Sequence, residues 1–370
     1  MNDFSDFDLI SSLQETLEEM GLNTPTDIQQ QAIPLLLDGQ SVVGVSETGS
    51  GKTLAYALPI LNALKTLEYA KVPVEDESQP RALVIVPSRE LGEQVMRVFK
   101  TFTHATRLRV RSVLGGTDLD VAKRNIEGEF EILVATPGRI LKLLDRKLIN
   151  FSDVRTLVFD EADQMLDQGF LPDARRLVEA CPRQVQLALF SATVSSQLEE
   201  LIASLFKDAK VLRSSGHHRL VATLTTQNRK VVDGKRFPLL LDILKDRSPE
   251  GTMIFTNTRE QCDRLAEELK KAGMECVVYR GEMDKGERRL NLRAFKEKKV
   301  SLLISTDLAA RGLDLEHVGR VINYHLPQDM ANYLHRVGRT ARAGRPGLVV
   351  NLVTERDAEL IRKLDSLNAS

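Results

Sequence analysis

Short runs of aliphatic and β-branched residues recur along the chain, each nearly continuous in apolar character and each followed by a stretch of helical pattern. In the first half they are SVVGV (41–45), ALVIV (82–86), RVRSVL (109–114), EILVAT (131–136), TLVFD (156–160) and VQLALFS (185–191). The second half repeats the pattern with TMIFT (252–256), ECVVY (275–279), VSLLIST (300–306), RVINYH (320–325) and GLVVNLV (347–353). Strands of this length and character, separated by helical crossovers, are what a parallel sheet buried on both faces requires. The pattern predicts an α/β protein of two tandem, doubly wound parallel-sheet domains. No close sequence repeat relates the halves, so any kinship between them is architectural.

The stretch RSSGHHRL (213–220) is small, polar and basic and lacks apolar periodicity, which makes it the expected linker between domains at 1–212 and 221–370. A chain of 370 residues also exceeds the size at which one core stops growing. Net charge is only −1, but residues 1–213 carry 23 Lys+Arg against 31 Asp+Glu, a net of −8, leaving +7 for the rest. That asymmetry would either draw the halves together electrostatically or bias a nucleic acid toward the second half. Cys181, Cys262 and Cys276 form no CxxC pair and no His-flanked cluster, so neither a disulfide framework nor a zinc site is indicated. The N-terminus has no basic segment followed by an apolar one, and every apolar run is shorter than a membrane span. A cytoplasmic, monomeric protein without membrane contact is expected.

The segment SETGSGKT (46–53) has the parts of a phosphate-binding loop. A strand enters it, Gly49 and Gly51 allow a tight turn, Lys52 supplies a cation, Thr53 a hydroxyl for Mg²⁺, and a helical run follows. Ser46 stands where the usual GxxxxGK[ST] pattern has its first glycine. Such a site needs a carboxylate at the end of a buried strand to hold Mg²⁺ and a neighbour to orient water. TLVFDEAD supplies Asp160, Glu161 and Asp163 at the tip of an apolar strand.

The sequence DEAD at 160–163, with its extension QMLDQGF, resembles the signature of the DEAD-box RNA helicases, ATP-dependent enzymes of two RecA-like domains. The resemblance spans roughly residues 4 to 347 with the motifs in family order. In that family the phosphate loop commonly reads AxTGSGKT, so a residue other than glycine at position 46 is compatible with a working ATP site. The resemblance implies ATP contacts by Ser46, Thr48, Gly49, Ser50, Gly51, Lys52 and Thr53, with Mg²⁺ held by Thr53, Asp160 and Glu161, partly through water. PTDIQ (25–29) resembles the adenine-reading Q motif. Its Gln29 amide both donates and accepts, which matches the edge of adenine, and Phe4 stands at the spacing of the isolated upstream aromatic, with Phe7 as an alternative. Leu22 replaces an aromatic common after Gly21.

PSRELGEQ (87–94) resembles the PTREL motif, with Ser88 for Thr and Gly92 for Ala, while LGGT (114–117) and TPGR (136–139) match the family's glycine pair and TPGR motif. The implied RNA contacts are Pro87, Arg89, Gly115, Gly116, Thr136 and Arg139, a set of backbone amides, hydroxyls and guanidinium groups suited to phosphates along one strand. FSAT (190–193) resembles the SAT motif, whose Ser191 and Thr193 hydroxyls would bond the DEAD carboxylates, Asp163 included, and couple hydrolysis to closure. In the second half FTNT (255–258) and STDLAARGLD (305–314) imply RNA contacts by Thr256, Asn257 and Thr306 and a ribose contact by Asp314. HRVGRTAR (335–342) implies arginine fingers at Arg339 and Arg342 and a coupling role for His335. RGEMDKGER (280–288) departs from the family's HGDMxQxxR at Arg280, Glu282 and Lys285, an exchange expected to add phosphate attraction.

The expected activity is RNA-stimulated ATP hydrolysis that separates short RNA duplexes through closure of the two domains, with ATP and Mg²⁺ as cofactors. The catalytic set is Lys52, Asp160, Glu161, Arg339 and Arg342. Contacts to phosphate and ribose predict little sequence preference, and targeting would fall to protein or ribonucleoprotein partners. Two other readings remain: an ATP-gated RNA clamp or scaffold with little unwinding, and a DNA-directed translocase on the same fold.

Overall fold

A computed structural model of the chain describes residues 3–47, 49–74, 76–116, 118–167, 169–214, 224–246, 248, 250–310, 315, 317–341 and 345–368. The chain divides into two compact units, Met1–His217 and His218–Ser370. The first contains a seven-stranded sheet of β1 (Val42–Val45), β2 (Ala82–Ile85), β3 (Val110–Val113), β4 (Ile132–Ala135), β5 (Thr156–Asp160), β6 (Gln186–Ser191) and β7 (Lys210–Arg213), in the order β3-β4-β2-β5-β6-β1-β7. The second contains β8 (Leu224–Lys230), β9 (Gly251–Thr256), β10 (Val277–Tyr279), β11 (Leu302–Thr306), β12 (Val318–Asn323) and β13 (Gly347–Val353), in the order β10-β11-β9-β12-β13-β8. The strand pairings are parallel. Counted from the first strand of each unit, both sheets run 3-4-2-5-6-1, and the first unit adds β7 beyond β1.

The apolar runs become strands because both faces of each sheet are covered. Val42, Ala82 and Val84 face one core of the first unit, while Val43, Leu83 and Ile85 face the other. Phe255 and Leu303 likewise oppose Ile254 and Ile304 across the second sheet. This alternation is the period-two geometry of a strand with two apolar faces.

Two strands lack that signature. β7 (KVLR) pairs with β1, and β8 (LTTQNRK) pairs with β13; each lies at the edge of its sheet and is largely exposed. Edge strands need no continuous apolar run. Arg213, the expected first residue of the linker, is the last residue of β7, opposite Val45. Residues 215–223 lie outside the described residues.

Because the strands are parallel, their C-terminal ends lie along one edge of each sheet, where ligands of such folds bind. The phosphate-like loop follows β1, the DEAD acids follow β5, and the SAT triplet closes β6.

Candidate nucleotide and nucleic-acid site

Between β1 and the helix Lys52–Tyr69 the chain turns through Gly49 at φ 85° and Gly51 at φ 88°. Gly51 is doubly required, since a Cβ there would lie 2.4 Å from Gln29 Nε2. Lys52 is buried, and its ammonium donates to the carbonyls of Ser46 (2.7 Å) and Glu47 (3.0 Å). Three protons on the ammonium leave one for a phosphate oxygen. The Ser46 hydroxyl meets that of Ser50 at 2.8 Å, and Ser50 donates to Glu47 O at 2.8 Å. Side-chain hydrogen bonds thus brace the turn at the position where the stricter pattern has glycine. Thr53 follows in the first helical turn, and Thr48 lies outside the described residues.

Gln29 serves this loop directly. Its Nε2 donates to Gly51 O at 3.0 Å, and its Oε1 accepts from Thr26 N at 2.8 Å, while Thr26 Oγ1 donates to Ser50 O at 2.7 Å. The amide expected to read adenine is therefore bonded to its own helix cap and the loop, although each group retains further capacity. Phe4 is buried edge-on against Phe7 at 5.8 Å between centroids, so both candidate aromatics belong to the core.

At the end of β5, Asp160 is 2 % exposed and Glu161 adopts a left-handed conformation at φ 52°. Non-glycine residues held there mark sites where surrounding structure over-determines the backbone. Burial, followed by the neighbouring Glu161 charge, pushes the Asp160 carboxyl up to about 6. Asp160 Oδ2 accepts from the Tyr56 hydroxyl at 2.8 Å, and Oδ1 accepts from Glu161 N at 3.0 Å. Glu161 Oε2 accepts from Gln164 Nε2. The sequence singles out neither Tyr56 nor Gln164; spacing one turn past Lys52 and three past Glu161 is the only signal they carry.

Asp163 gathers the SAT triplet: its Oδ2 accepts from Ala192 N (3.2 Å), Thr193 N (3.0 Å) and Thr193 Oγ1 (2.9 Å). Ser191 departs from expectation, because its hydroxyl donates to Thr193 O at 2.8 Å rather than to a DEAD carboxylate. It shapes the triplet while Thr193 makes the contact.

Pro87, Arg89, Gly115, Thr136 and Arg139, drawn from the loops after β2, β3 and β4, line a single groove of about 430 Å³. Pro137, Gly138, Lys142, Met165, Phe170 and Asp173 complete it, and of these Lys142 adds a cation that no motif names. Gly116, at φ 84°, belongs to the same turn as Gly115 without lining the groove. The glycine of PSRELGEQ has a steric reason, since a Cβ on Gly92 would lie 2.4 Å from Leu114 Cδ2.

In the second unit two of the three expected contact residues, Thr256 and Thr306, are buried. Thr256 is fully buried and its hydroxyl donates to Thr258 O at 3.2 Å. Asn257 donates through Nδ2 to Leu326 O at 2.8 Å and accepts at Oδ1 from Arg336 at 2.8 Å. Asn257 stays exposed while bracing the strand end through these bonds, whereas Thr256 and, at the tip of β11, Thr306 are buried. Arg336, 1 % exposed, is the hub: it pairs with Asp307, donates to Asn323 Oδ1 (3.1 Å) and His325 O, and lies over the Phe255 ring at 5.0 Å. Arg339 is buried, its Nε donating to the carbonyl of His335, itself buried on the same segment. Asp314 and Arg342 lie outside the described residues.

The cations of RGEMDKGER add less free charge than expected. Arg280 Nε pairs with Asp263 Oδ1 at 2.7 Å, and Glu282 pairs with Arg259. Two of the three departures, Arg280 and Glu282, are thus balanced by an opposite charge on the helix Arg259–Lys271.

A lysine loop and buried acids at the C-terminal edge of a parallel sheet, followed by a second sheet of the same strand order, define a tandem RecA-like nucleoside triphosphatase. The chain belongs to the DEAD-box ATP-dependent RNA helicase family. The DEAD/DEAH box helicase profile matches residues 26–201 and the helicase conserved C-terminal domain profile matches 235–344. The chain is 33 % identical over 362 residues to the DEAD-box ATP-dependent RNA helicase CshA of Bacillus subtilis, covering 98 % of this chain and 72 % of that protein. It is 37 % identical over 366 residues to the ATP-dependent rRNA helicase RRP3 of Coccidioides immitis, covering 98 % and 75 %. The fold matches S. cerevisiae Dbp5 bound to RNA and ADP BeF3 with a TM-score of 0.87 and 28 % identity over 100 % of this chain and 94 % of that one. Among the described residues no helix is long and apolar enough to cross a membrane.

Proposed function

We propose that the protein couples ATP hydrolysis to the grip of single-stranded RNA, and that the two units close on both ligands to separate a few base pairs. One short element supports this reading. The helix Ala162–Leu166 has Glu161 at its N-cap beside the phosphate loop, and its Met165 lines the groove between the PSREL and TPGR loops. Five residues thus span from the hydrolytic acids to the expected RNA path, with Asp163 between them fastened to the SAT triplet. A strand seated in the groove bears on the same backbone that orients Glu161.

The residues fit magnesium. Thr53, Asp160 and Glu161 offer hard oxygen donors, and the raised Asp160 pKa marks a buried anion lacking full compensation by protein cations. Among the described residues no cluster of three or more His, Cys, Asp or Glu could hold a metal alone, as expected for an ion that takes much of its shell from phosphate and water. When bound, magnesium neutralises phosphate charge. Lys52 directs a proton to the phosphates, Glu161 orients the attacking water, and Arg339 and Arg342 stabilise the charge that develops on closure. Contacts in the groove go to phosphate and ribose, so sequence selectivity is low and targeting falls to protein partners. A cytoplasmic monomer, with the units joined by the chain that follows β7, completes the proposal.

The test is steady-state ATP hydrolysis with no nucleic acid, with single-stranded RNA and with matched DNA, using Glu161→Gln as the blank. Strong stimulation by RNA alone supports the coupled mechanism. Equal rates in all three conditions overturn it. Duplex release with ATP but not with a non-hydrolysable analogue, under multiple turnover, distinguishes unwinding from a clamp.

A further inference from the structure

We propose that Tyr56 is a positioning residue that fixes the orientation of the Asp160 carboxylate toward the nucleotide-bound magnesium ion, an inference that rests on the reading of Asp160 as a magnesium-holding group. Tyr56 lies one turn beyond Lys52 on the helix Lys52–Tyr69 and is fully buried. Its ring packs against Phe190 at 5.5 Å and Phe99 at 6.4 Å between centroids, both tilted, which leaves the phenol no room to swing. A phenylalanine would fill the same space. Burying the phenol hydroxyl unpaired would be unfavourable. It donates to Asp160 Oδ2 at 2.8 Å.

The Glu161 N–H holds Oδ1 from the other side at 3.0 Å. Two donors on different oxygens fix the carboxylate plane, and each oxygen keeps a further lone pair for a water or a metal. Tyr56 is neutral and does not compete for the ion as a lysine would. Because it shares a helical turn with Lys52 and Thr53, it ties the acid strand to the phosphate loop through a single side chain. Pre-organisation of this kind reduces the cost of ordering when the ligand arrives.

The experiment measures binding of methylanthraniloyl-labelled AMP-PNP with saturating single-stranded RNA, titrating Mg²⁺ and repeating the measurement in EDTA. Tyr56→Phe is expected to raise the Mg²⁺ concentration for half-maximal tightening about 10- to 150-fold, the range for losing a hydrogen bond to a charged group. Affinity in EDTA should stay within about twofold, because the loop contacts are retained. An unchanged Mg²⁺ requirement, or an equal loss with and without Mg²⁺, overturns the inference. Phe99→Leu, which loosens the same packing without touching the hydroxyl, should lower the melting temperature and leave the Mg²⁺ requirement alone; a shift matching that of Tyr56→Phe would also overturn it. Asp160→Asn separates the two levels. Loss of Mg²⁺ linkage in Asp160→Asn with none in Tyr56→Phe refutes the role of Tyr56 alone, whereas linkage intact in Asp160→Asn, or absent from the parent, refutes the reading of Asp160.

Discussion

β5 and β12 occupy the same place in the two sheets, each between the counterparts of strands 2 and 6, yet they end differently. β5 delivers Asp160 and Glu161, two buried acids held by Tyr56 and Gln164, with the Lys52 charge acting on Asp160. β12 ends in Asn323, followed by His325, and Arg336 closes over both while pairing with Asp307. At one strand end burial still holds an acid's pKa up; at the other, Asp307 pairs directly with a buried arginine. A duplicated architecture therefore supports a reactive edge and a structural one, according to whether the acid is paired directly with a cation.

The comparison is broken most directly by substitutions at the two ends. Glu161→Gln should lower RNA-stimulated ATP hydrolysis about 10²- to 10⁴-fold, the usual contribution of a positioned acid–base group, with little change in thermal unfolding. Arg336→Met should do the reverse in kind, costing about 3–5 kcal/mol of stability by leaving Asp307 and the Asn257 and Asn323 carbonyls unpaired. Denaturant unfolding measures the loss, and hydrogen exchange should place it at β12. Retained stability in Arg336→Met would show that the second strand end is not built for packing.

Asp160→Asn sharpens the contrast. The folded pKa of about 6 exceeds the unfolded value near 3.8, so the ligand-free fold takes up a proton as pH falls from 6 to 4 and gains stability over that window. At neutral pH the charged form carries a penalty of about 2–3 kcal/mol. The asparagine variant should be more stable than the parent at pH 7 by up to that amount and should lose the slope between pH 4 and 6. A less stable variant at pH 7 would mean that the acid is already compensated.

His325 gives the opposite slope. Burial first, then Arg236 and Arg336, pull its pKa down from 6.5 to about 4. The folded state stays neutral where the unfolded chain is protonated, so stability present above pH 6.5 is lost as pH falls toward 4. With the ring partly exposed, the effect is about 1–2 kcal/mol after allowing for solvent screening. Replacement by Asn should flatten this part of the profile, read from denaturant midpoints at pH 7 and pH 5.

Much of this contrast is legible in the sequence, and the remainder has a physical reason for being hidden. TLVFD and GLVVNLV match β5 and β13 residue for residue, because strands covered on both faces must be apolar throughout. KVLR and LTTQNRK stay hidden because an edge strand owes its order to one neighbour's backbone. Motif order identifies Asp163 and Thr193, but not that Ser191 turns to Thr193 O or that Thr256 faces inward. A hydroxyl's direction depends on rotamer and neighbours. Arg280 and Asp263 are 17 positions apart, so a cation that reads as phosphate-seeking becomes half of an ion pair only when the helix Arg259–Lys271 is folded beside it.

Lys142 offers the finest test of where the first unit's charge is directed. It lies on the helix Pro137–Asp145, one turn beyond Arg139, and faces the same groove as Arg89. Arg89 is already shared with Glu93 at 2.8 Å, and Asp173 lines the same groove, so the balance of cations there is narrow. A lysine at this rim contributes as a point charge to whichever phosphate passes. Lys142→Ala should weaken single-stranded RNA binding only about two- to fivefold, uniformly across sequences, and reduce the salt dependence of binding by about one phosphate's worth. A loss confined to particular sequences would instead place Lys142 against a base. An unchanged salt slope would mean that the strand runs past Arg89 and Arg139 without reaching the next helical turn.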